Sequence, residues 1–463
     1  MDVKKLLKNP EILEAQLHAT PSTELAQTIC SISEEYCHTW SQLKNAQQEK
    51  RDIARQFKAA KENPEQFQEL KSVMTEKSNV ASALEHKLSS LSARALEAIE
   101  QEQIKEALFP GQFRPVNKQL NQQIHYEICS TTDQRWSTFV HNHPSANAYH
   151  QPAIQDVIST CFNYTSNVLL ALSEGAVVGG LPLTYMHTTL FGHSAVSVPY
   201  FNYGGPLSSY IDVQIGLISQ ARQMLQAEKV SHIEIRTTQP NLHSTFSDKK
   251  TSMILALAKD EQQLDKELGS KVRAQINKAY EYQPEAKFGC VELLDDFYKV
   301  FAINMRDLGT PVYSKEWFRS LLNNSDINSK LIVCYLRGEP VSCGFLLGYR
   351  DLLEIPWAST LKKANGYNMN MWMYRQILGY AIQQGFYFFD FGRSTKSAST
   401  YRFKKQWGAK PVPHYWYYVS QEEGVVSETN PDNPKYRLMI AIWKKLPVWL
   451  TKLIGPSIVK QIA

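Results

Sequence analysis

Between Met1 and Lys105 the chain has no glycine, and only Pro21 and Pro64 follow the opening Asn9-Pro10. A stretch this long without the residues that interrupt helices, and rich in Gln, Glu, Lys, Ala and Leu, is strongly biased toward long helices. Apolar residues recur at helical spacing: Leu25, Ile29, Ile32, Tyr36, Trp40 and Leu43, then Ala54 and Phe57. A second series runs Leu70, Met74, Ala81, Leu84, Leu88, Leu91 and Ala95. Two helices with one apolar stripe each predict an antiparallel coiled coil. Its tip is expected at Lys61-Glu-Asn-Pro-Glu65, because Pro64 cannot continue the first helix. Lys44, Arg51, Arg55 and Lys58 are spaced to line one helix face and could track a phosphate backbone. Over Ser41–Glu100, however, ten cations are offset by nine acids, so the stripe also fits an ordinary solvated face.

After Phe109-Pro-Gly-Gln-Phe-Arg-Pro115 the pattern changes to short apolar runs alternating with helical stretches. Val168–Leu172 and Val177–Leu183 predict a hairpin, Ser209–Glu228 a helix, His232–Arg236 and Met253–Ala258 strands, and Glu261–Gln283 a helix. The order then recurs, with helices over Asp295–Leu308 and Lys315–Leu322 and strands over Lys330–Leu336, Val341–Tyr349 and Leu352–Ala358. A helix over Met369–Gln384 leads into a strand over Phe386–Phe391. Mixed elements appearing twice in similar order suggest two lobes related by duplication.

The chemistry-bearing residues exclude several classes. No GxSxG elbow, HExxH, Walker loop or GxGxxG is present. The seven cysteines are scattered and form no CxxC, so neither a thiolate zinc site nor a disulfide framework is expected. His141-Asn-His143 lacks a third ligand nearby and reads as a turn with two solvated histidines, so no metal is expected. Cys334 and Cys343 lie in apolar strand sequence and read as core. The opening MDVKKLLKNPEIL carries charges through what a secretory signal would keep apolar, and no run of 18 apolar residues occurs. A reduced, cytoplasmic protein is expected. The net charge of +5 permits an anionic partner without demanding one.

Two segments concentrate polar function. Lys271-Val-Arg-Ala-Gln-Ile-Asn-Lys278 puts Lys271 and Lys278 on one helix face and Arg273 with Asn277 on another. The run from Asp390 to Gly408 places five Ser/Thr hydroxyls and five cations behind a strand end. A polar loop there that feeds a helix start is a natural anion site, although a capped helix with a solvated basic face would read the same.

These residues carry a resemblance. Phe201-Asn-Tyr-Gly-Gly205, the KVRAQINKA run, Asn304–Tyr313, Trp357-Ala-Ser, Asn368-Met-Asn and FDFGRSTKSASTYRFKKQWGA resemble the FemAB family, in the variety associated with exosortase and exopolysaccharide loci. The resemblance covers roughly residues 131–420 and implies two GNAT-like lobes that acylate an amino group, in the best-known members with aminoacyl-tRNA on a peptidoglycan precursor. The N-terminal segment, above all its LLKNPE opening, resembles the tRNA-binding arm of bacterial seryl-tRNA synthetase. The fold expected is α+β: a helical arm over 1–108, a linker over 109–130, GNAT-like lobes over 131–285 and 286–420, and a basic amphipathic tail over 421–463.

The implied reaction moves an amino acid from aminoacyl-tRNA to an amino group of a cell-envelope precursor, with no other cofactor. Lys271, Arg273, Lys278, Arg393 and Lys404 are candidates for phosphate or oxyanion contacts, and Asp390 and Asp307 for accepting the amine proton. Asn202, Tyr203 and Trp357 would shape the acceptor cleft, with Arg306, Asn368, Asn370, Ser394, Tyr401 and Lys405 beside them. Lys44, Arg51, Arg55 and Lys58 would hold tRNA. The acyl-CoA-binding pattern Gln/Arg-x-x-Gly-x-Gly/Ala is replaced after the Leu352–Thr360 strand by Lys362-Lys-Ala-Asn-Gly366. This disfavours the rival, an acyl-CoA-dependent N-acyltransferase of exopolysaccharide synthesis; a non-catalytic tRNA-binding adaptor is the third reading. In the tail no acid follows Asp432, while Lys435, Arg437, Lys444, Lys445, Lys452 and Lys460 interleave with Trp443, Trp449 and aliphatic residues. Peripheral contact with an anionic membrane at the inner face is expected of such a segment; a helix packed on the second lobe is the alternative.

Overall fold

The computed structural model of the 463-residue chain describes residues 7–8, 23–57, 64–99, 110–189, 192–225, 227–396, 398–420 and 434–462. They fall into two compact units, Met1–Phe109 and Pro110–Ala463.

The first unit is a pair of long helices, α1 (Thr23–Gln56) and α2 (Pro64–Ile99). Ile29, Ile32, Tyr36 and Leu43 of α1 bury against Ala81, Leu88, Leu91 and Ala95 of α2, following the apolar stripe. Pro64 stands at the first position of α2, where its missing N–H costs nothing. Ala54 departs from the expected stripe and is exposed, while Phe57 still meets Phe67 edge-on with ring centroids 5.2 Å apart. The hairpin tip at 61–63, Lys58, and most of the LLKNPE opening lie outside the described residues.

The second unit holds two seven-stranded mixed sheets. Sheet one contains β1 (His125–Ser130), β2 (Thr165–Ser173), β3 (Ala176–Thr188), β4 (Gly192–Val196), β5 (His232–Thr237) and β6 (Phe246–Ser247). Sheet two contains β7 (Lys250–Ala256), β8 (Glu285–Gly289), β9 (Asn328–Leu336), β10 (Glu339–Tyr349), β11 (Leu352–Thr360), β12 (Phe388–Thr395) and β13 (Lys410–Pro413). The last strand, β14 (Tyr415–Ser420), returns to sheet one. The orders are β1-β2-β3-β4-β5-β14-β6 and β8-β9-β10-β11-β12-β7-β13. Each is an antiparallel meander of four strands, then a parallel pair (β4 with β5, β11 with β12), then two antiparallel strands. Sheet two is built from one continuous run, β7 to β13, whereas the sixth strand of sheet one, β14, comes from beyond that run. The sheets therefore do not divide at the expected boundary of 285: β7 belongs to sheet two, β14 to sheet one, and β1 lies in what reads as linker.

Helices α3 (Gln134–Asn142), α4 (Pro152–Phe162) and α5 (Ile211–Met224) accompany sheet one. Those of lobe two are α6 (Glu261–Glu267), α7 (Ser270–Tyr280), α8 (Leu294–Leu308), α9 (Lys315–Asn323), α10 (Met369–Gln383) and α11 (Ser399–Lys405). The single helix expected over Glu261–Gln283 is two, parted at Gly269, which caps α7 in an extended conformation. Gly is the weakest non-proline helix former, and Arg375 anchors α6 separately through Glu261 and Asp265. Alternation sorts the two faces of sheet two. Leu353, Ile355, Phe389 and Phe391 join the core under α7 and α10. Glu354 and Asp390 lie between these residues in sequence, so both carboxyls emerge on the opposite face. The chain closes with α12 (Pro434–Trp443) and α13 (Val448–Val459). Among the described residues no helix is long and apolar enough to cross a membrane.

Candidate active site

Strands β11 and β12 pair through only three positions, Leu352↔Phe388, Leu353↔Phe389 and Glu354↔Asp390, and then part. The departure is built into β12 by a bulge between Asp390 and Arg393. Gly392 has φ +76 and passes so close to Ile355 that a Cβ would lie 2.9 Å from its carbonyl oxygen. A side chain there would be strained both by conformation and by contact. The two carboxyls thus sit side by side at the fork, and both are buried.

Lobe one closes over them. Tyr149 donates to Glu354 Oε2 at 2.5 Å and Tyr203 to the same oxygen at 3.1 Å, while Asn202 Nδ2 donates to Oε1 at 3.2 Å. Tyr203 also reaches Asp390 Oδ2 at 3.4 Å. Asp390 Oδ1 accepts from the backbone N–H of Gly392 at 2.8 Å and of Met253 at 3.3 Å. The Ser252 hydroxyl also bonds Asp390, and His414 Nε2 lies 2.9 Å from Ser252 Oγ.

Burial dominates the electrostatics. It raises the pKa of both carboxyls, and for Glu354 the neighbouring Asp390 charge adds to the rise. Hydrogen bonds from Ser252, Gly392 and Met253 and the charge of Lys404 favour the ionised form of Asp390. Hydrogen bonds from Tyr149, Tyr203 and Asn202 do the same for Glu354, so the pair tends to share one proton and one charge. Burial also lowers Lys404 to about 8, against the pull of both carboxylates. Its ammonium donates to the carbonyls of Gly392 and Arg393 at 2.8 and 2.9 Å. His414 is pushed down to about 3, first by burial and then by the surrounding cations, so it stays neutral.

Beside the carboxyls lies an aromatic and cationic wall. Trp416 donates its indole N–H to the Asn202 carbonyl at 3.2 Å. The guanidinium carbons of Arg236 and Arg393 stand 4.4 and 5.2 Å from its ring centroid. Arg393 is open to solvent, yet desolvation and the like charge of Arg236 lower its pKa. Among the described residues Arg393 has no carboxylate within ion-pair distance. Phe201, Tyr313 and Trp357 continue the wall, with the Trp357 ring 5.6 and 5.5 Å from the other two.

Of the residues singled out in the sequence, Asn202, Tyr203, Asp390, Arg393 and Lys404 come together here, with Trp357 along the wall. Ser394 is buried beside them, its Oγ without a hydrogen-bond partner among the described residues. Arg393 and Ser394 belong to β12 rather than to a loop, because they pair with Ser252 and Thr251 of β7. Asp307 is held instead by Arg306 at 2.7 Å and Lys362 at 3.9 Å, and no contact joins it to the fork among the described residues. Lys271, Arg273 and Lys278 are exposed on α7. Asn368 starts α10 in the left-handed region, Asn370 accepts from Thr360 at 3.4 Å, Tyr401 packs on the lobe-two core, and Lys405 is exposed.

His143 is buried rather than solvated; it bonds Ser209 and is pushed down to about 4 by burial. No cluster of three metal-ligating side chains occurs among the described residues. Sequence reasoning passed over Glu354, Tyr149, Arg236 and Trp416. For Glu354 the signal was available: an acid inside the apolar run Leu352–Ala358 needs a partner or a function.

The acetyltransferase (GNAT) domain family model matches residues 269–405, which span β8 to β12 and so include both carboxyls. Residues 269–405 of lobe two are thus similar to a GNAT-type acetyltransferase domain. Among solved structures, FemX shares 15% identity, with 68% of this chain and 100% of that one covered, at a TM-score of 0.49. A tandem GNAT protein from the clavulanic acid biosynthesis pathway shares 12%, covering 66% and 100%, at 0.43. The C-terminal domain of a putative lysylphosphatidylglycerol synthetase from Agrobacterium fabrum shares 12%, covering 58% and 87%, at 0.41. No curated protein sequence matches the chain significantly.

Proposed function

We propose that the chain is an aminoacyltransferase that moves an amino acid from aminoacyl-tRNA to an amino group of a cell-envelope, peptidoglycan-like precursor. The observation that carries this reading is the buried Glu354–Asp390 pair at the fork of the lobe-two sheet, near an Arg393 that has no carboxylate within ion-pair distance among the described residues. Aminolysis of an ester is downhill, so positioning and charge stabilisation suffice. The acceptor nitrogen attacks the ester carbonyl and loses a proton to the carboxylate of the pair. The acyl–oxygen bond breaks, and the leaving ribose hydroxyl takes a proton back from the same pair, so the dyad ends as it began. Arg393 faces the oxyanion or a donor phosphate.

The arm supports the tRNA part of the reading. Lys44, Arg51 and Arg55 are exposed on α1, although Arg55 is partly neutralised by Asp52 at 3.2 Å. Reversing these three charges should weaken tRNA binding and flatten its salt dependence; unchanged filter binding at two salt concentrations would remove the arm from the mechanism. Peripheral contact of the tail with an anionic membrane belongs to the same reading, since a lipid-linked acceptor is met there. The family match to an acetyltransferase domain favours one rival, acyl-CoA-dependent N-acylation. Charged total tRNA and acetyl-CoA, each offered with candidate amines and read by mass spectrometry, decide between the donors. Product from acetyl-CoA alone would overturn the aminoacyl reading, and product from neither would favour a non-catalytic adaptor.

A further inference from the structure

The two C-terminal helices offer more apolar surface than lobe two covers. On α12, Trp443 is buried, and Ile440 lies so close to Gly309 that a Cβ on that glycine would come within 2.5 Å of it. Leu438, Met439 and Ile442 of the same helix are 63, 61 and 53% exposed. On α13, Thr451, Gly455 and Val459 are buried at four-residue steps, and Gly455 packs directly on Val312.

At about 100° per residue, the next stripe around α13 is Val448, Lys452 and Pro456. It lines a cavity of about 500 Å³ whose other wall includes Asp295, Tyr298, Lys299 and Ala302 of α8 and Lys315 of α9. The stripe after that is Trp449 and Leu453, 67 and 69% exposed. The helix thus turns one face to the protein, the next to a cavity, and a bare apolar face to the cavity's rim.

The charge is one-sided. From Pro434 onward there are six cations and no acid. Three lysines line the cavity: Lys315 pairs with Asp295, and Lys299 with Glu339 at 3.3 Å. Lys452 has no carboxylate partner among the described residues, and its Nζ stands 5.6 Å from the Tyr298 ring.

We infer that this cavity seats the phosphate headgroup of an anionic membrane lipid, with Trp449 and Leu453 entering the bilayer interface beside it. The inference rests on the membrane contact of the proposed function and gives it a specific seat. A lipid uses both features at once, the phosphate answering Lys452 and the acyl region covering the exposed stripe. A soluble phosphate would answer only the first. Helices of 10 and 12 residues are too short to span a bilayer, which needs about 20, so the docking is interfacial.

The test is cosedimentation of the full chain with vesicles of phosphatidylcholine alone and of phosphatidylcholine mixed with phosphatidylglycerol. Wild type should partition to the mixed vesicles and stay in solution with the neutral ones. Lys452→Glu should weaken that partitioning about tenfold, and Trp449→Ser with Leu453→Ser at least as much. All three side chains are exposed, so unchanged melting temperatures are expected and separate a binding loss from misfolding. Equal partitioning to both vesicle types, partitioning to neither, or Lys452→Glu that binds like wild type would each overturn the inference. A rise in melting temperature with inorganic phosphate alone, lost in Lys452→Glu, in a protein that ignores vesicles would overturn it as well and assign the cavity to a free anion. Transfer to a soluble amine by the same proteins scores the chemistry separately. Vesicle failure with transfer intact rejects the lipid seat alone, and vesicle binding without transfer rejects the enzymatic reading alone.

Discussion

The two sheets of the second unit fork at corresponding places and fill the fork differently. In lobe one, β4 and β5 pair through Ser194↔His232, Ala195↔Ile233 and Val196↔Glu234 before parting. By register, Val196 corresponds to Glu354, Glu234 to Asp390 and Arg236 to Gly392. The lobe-one acid is answered two residues along its own strand, with Arg236 Nε 2.6 Å from Glu234 Oε1. The same arginine donates to the carbonyls of Phe201 and Val198 at 2.8 and 3.4 Å, so it stitches the parted strands together. In lobe two the arginine is replaced by glycine, and the apolar partner is replaced by a second acid. One fork is closed by a satisfied ion pair. The other holds two carboxyls that compete for one charge. A buried group whose charge is poorly matched costs stability and gains reactivity, and that cost falls on the lobe-two fork, whereas Arg236, matched by its own acid, stands in the wall beside it.

The sharpest way to break this comparison is to neutralise one acid in each fork. Glu354→Gln should fold and lose about a thousandfold in turnover, within the range of disrupted general acid–base catalysis, because Asp390 is left without a carboxyl to share its proton. Glu234→Ala should instead leave a buried arginine charge unpaired and lose about 3 kcal/mol of stability, with a far smaller effect on the turnover of the folded protein. Equal kinetic losses in the two variants, measured alongside urea melts, would dissolve the distinction. Next in size, Arg393→Ala should lower turnover about 100-fold with little change in stability, as expected for one preorganised charge donor at the cleft. Full activity in a folded Arg393→Ala protein would remove it from the site.

The smallest effect is a pH dependence of stability. Both lobe-two carboxyls have raised pKa values when folded, so their stabilising protons are lost as pH climbs through those values. Lys404, lowered to about 8, gives the opposite slope and is present in both proteins compared. Glu354→Gln should therefore gain on wild type by a few degrees of Tm between about pH 5 and pH 8. Parallel melting curves across that range would show that the Glu354 proton carries no such linkage.

How much of this was legible varies with the range of the interaction. The arm is a local object: α1 and α2 follow from spacing alone, down to Ile29, Leu43 and Leu88 in the core. Eight of the fourteen strands were legible for the same reason, within about five residues at their ends, while the strands β1, β4, β6, β8, β13 and β14 were not. Asp390 stands out because a polar, basic run follows it at once. Glu354 does not, since Leu352, Leu353 and Ile355 around it read as ordinary buried strand, and only the register with β12 shows that it faces another acid. Asp307 and the lysines of α7 look equally chemical in one dimension, yet they face a local ion pair and solvent. The sheet membership of β7 and β14 was invisible because each follows directly on strands of the other sheet; nothing in either segment says which sheet it will join.

The late return of β14 to sheet one has a consequence for how the protein is made. A ribosome releasing the chain would present β1 to β6 while the strand that sits between β5 and β6 lies beyond residue 414. At a synthesis rate of about 5–20 residues per second, the gap lasts on the order of ten seconds or more. During that time the edge of β5 stays unpaired and open to other chains. A holding chaperone, or slow post-translational closure of sheet one, is the natural remedy, and recombinant fragments that hold β1 to β6 without β14 should aggregate rather than fold.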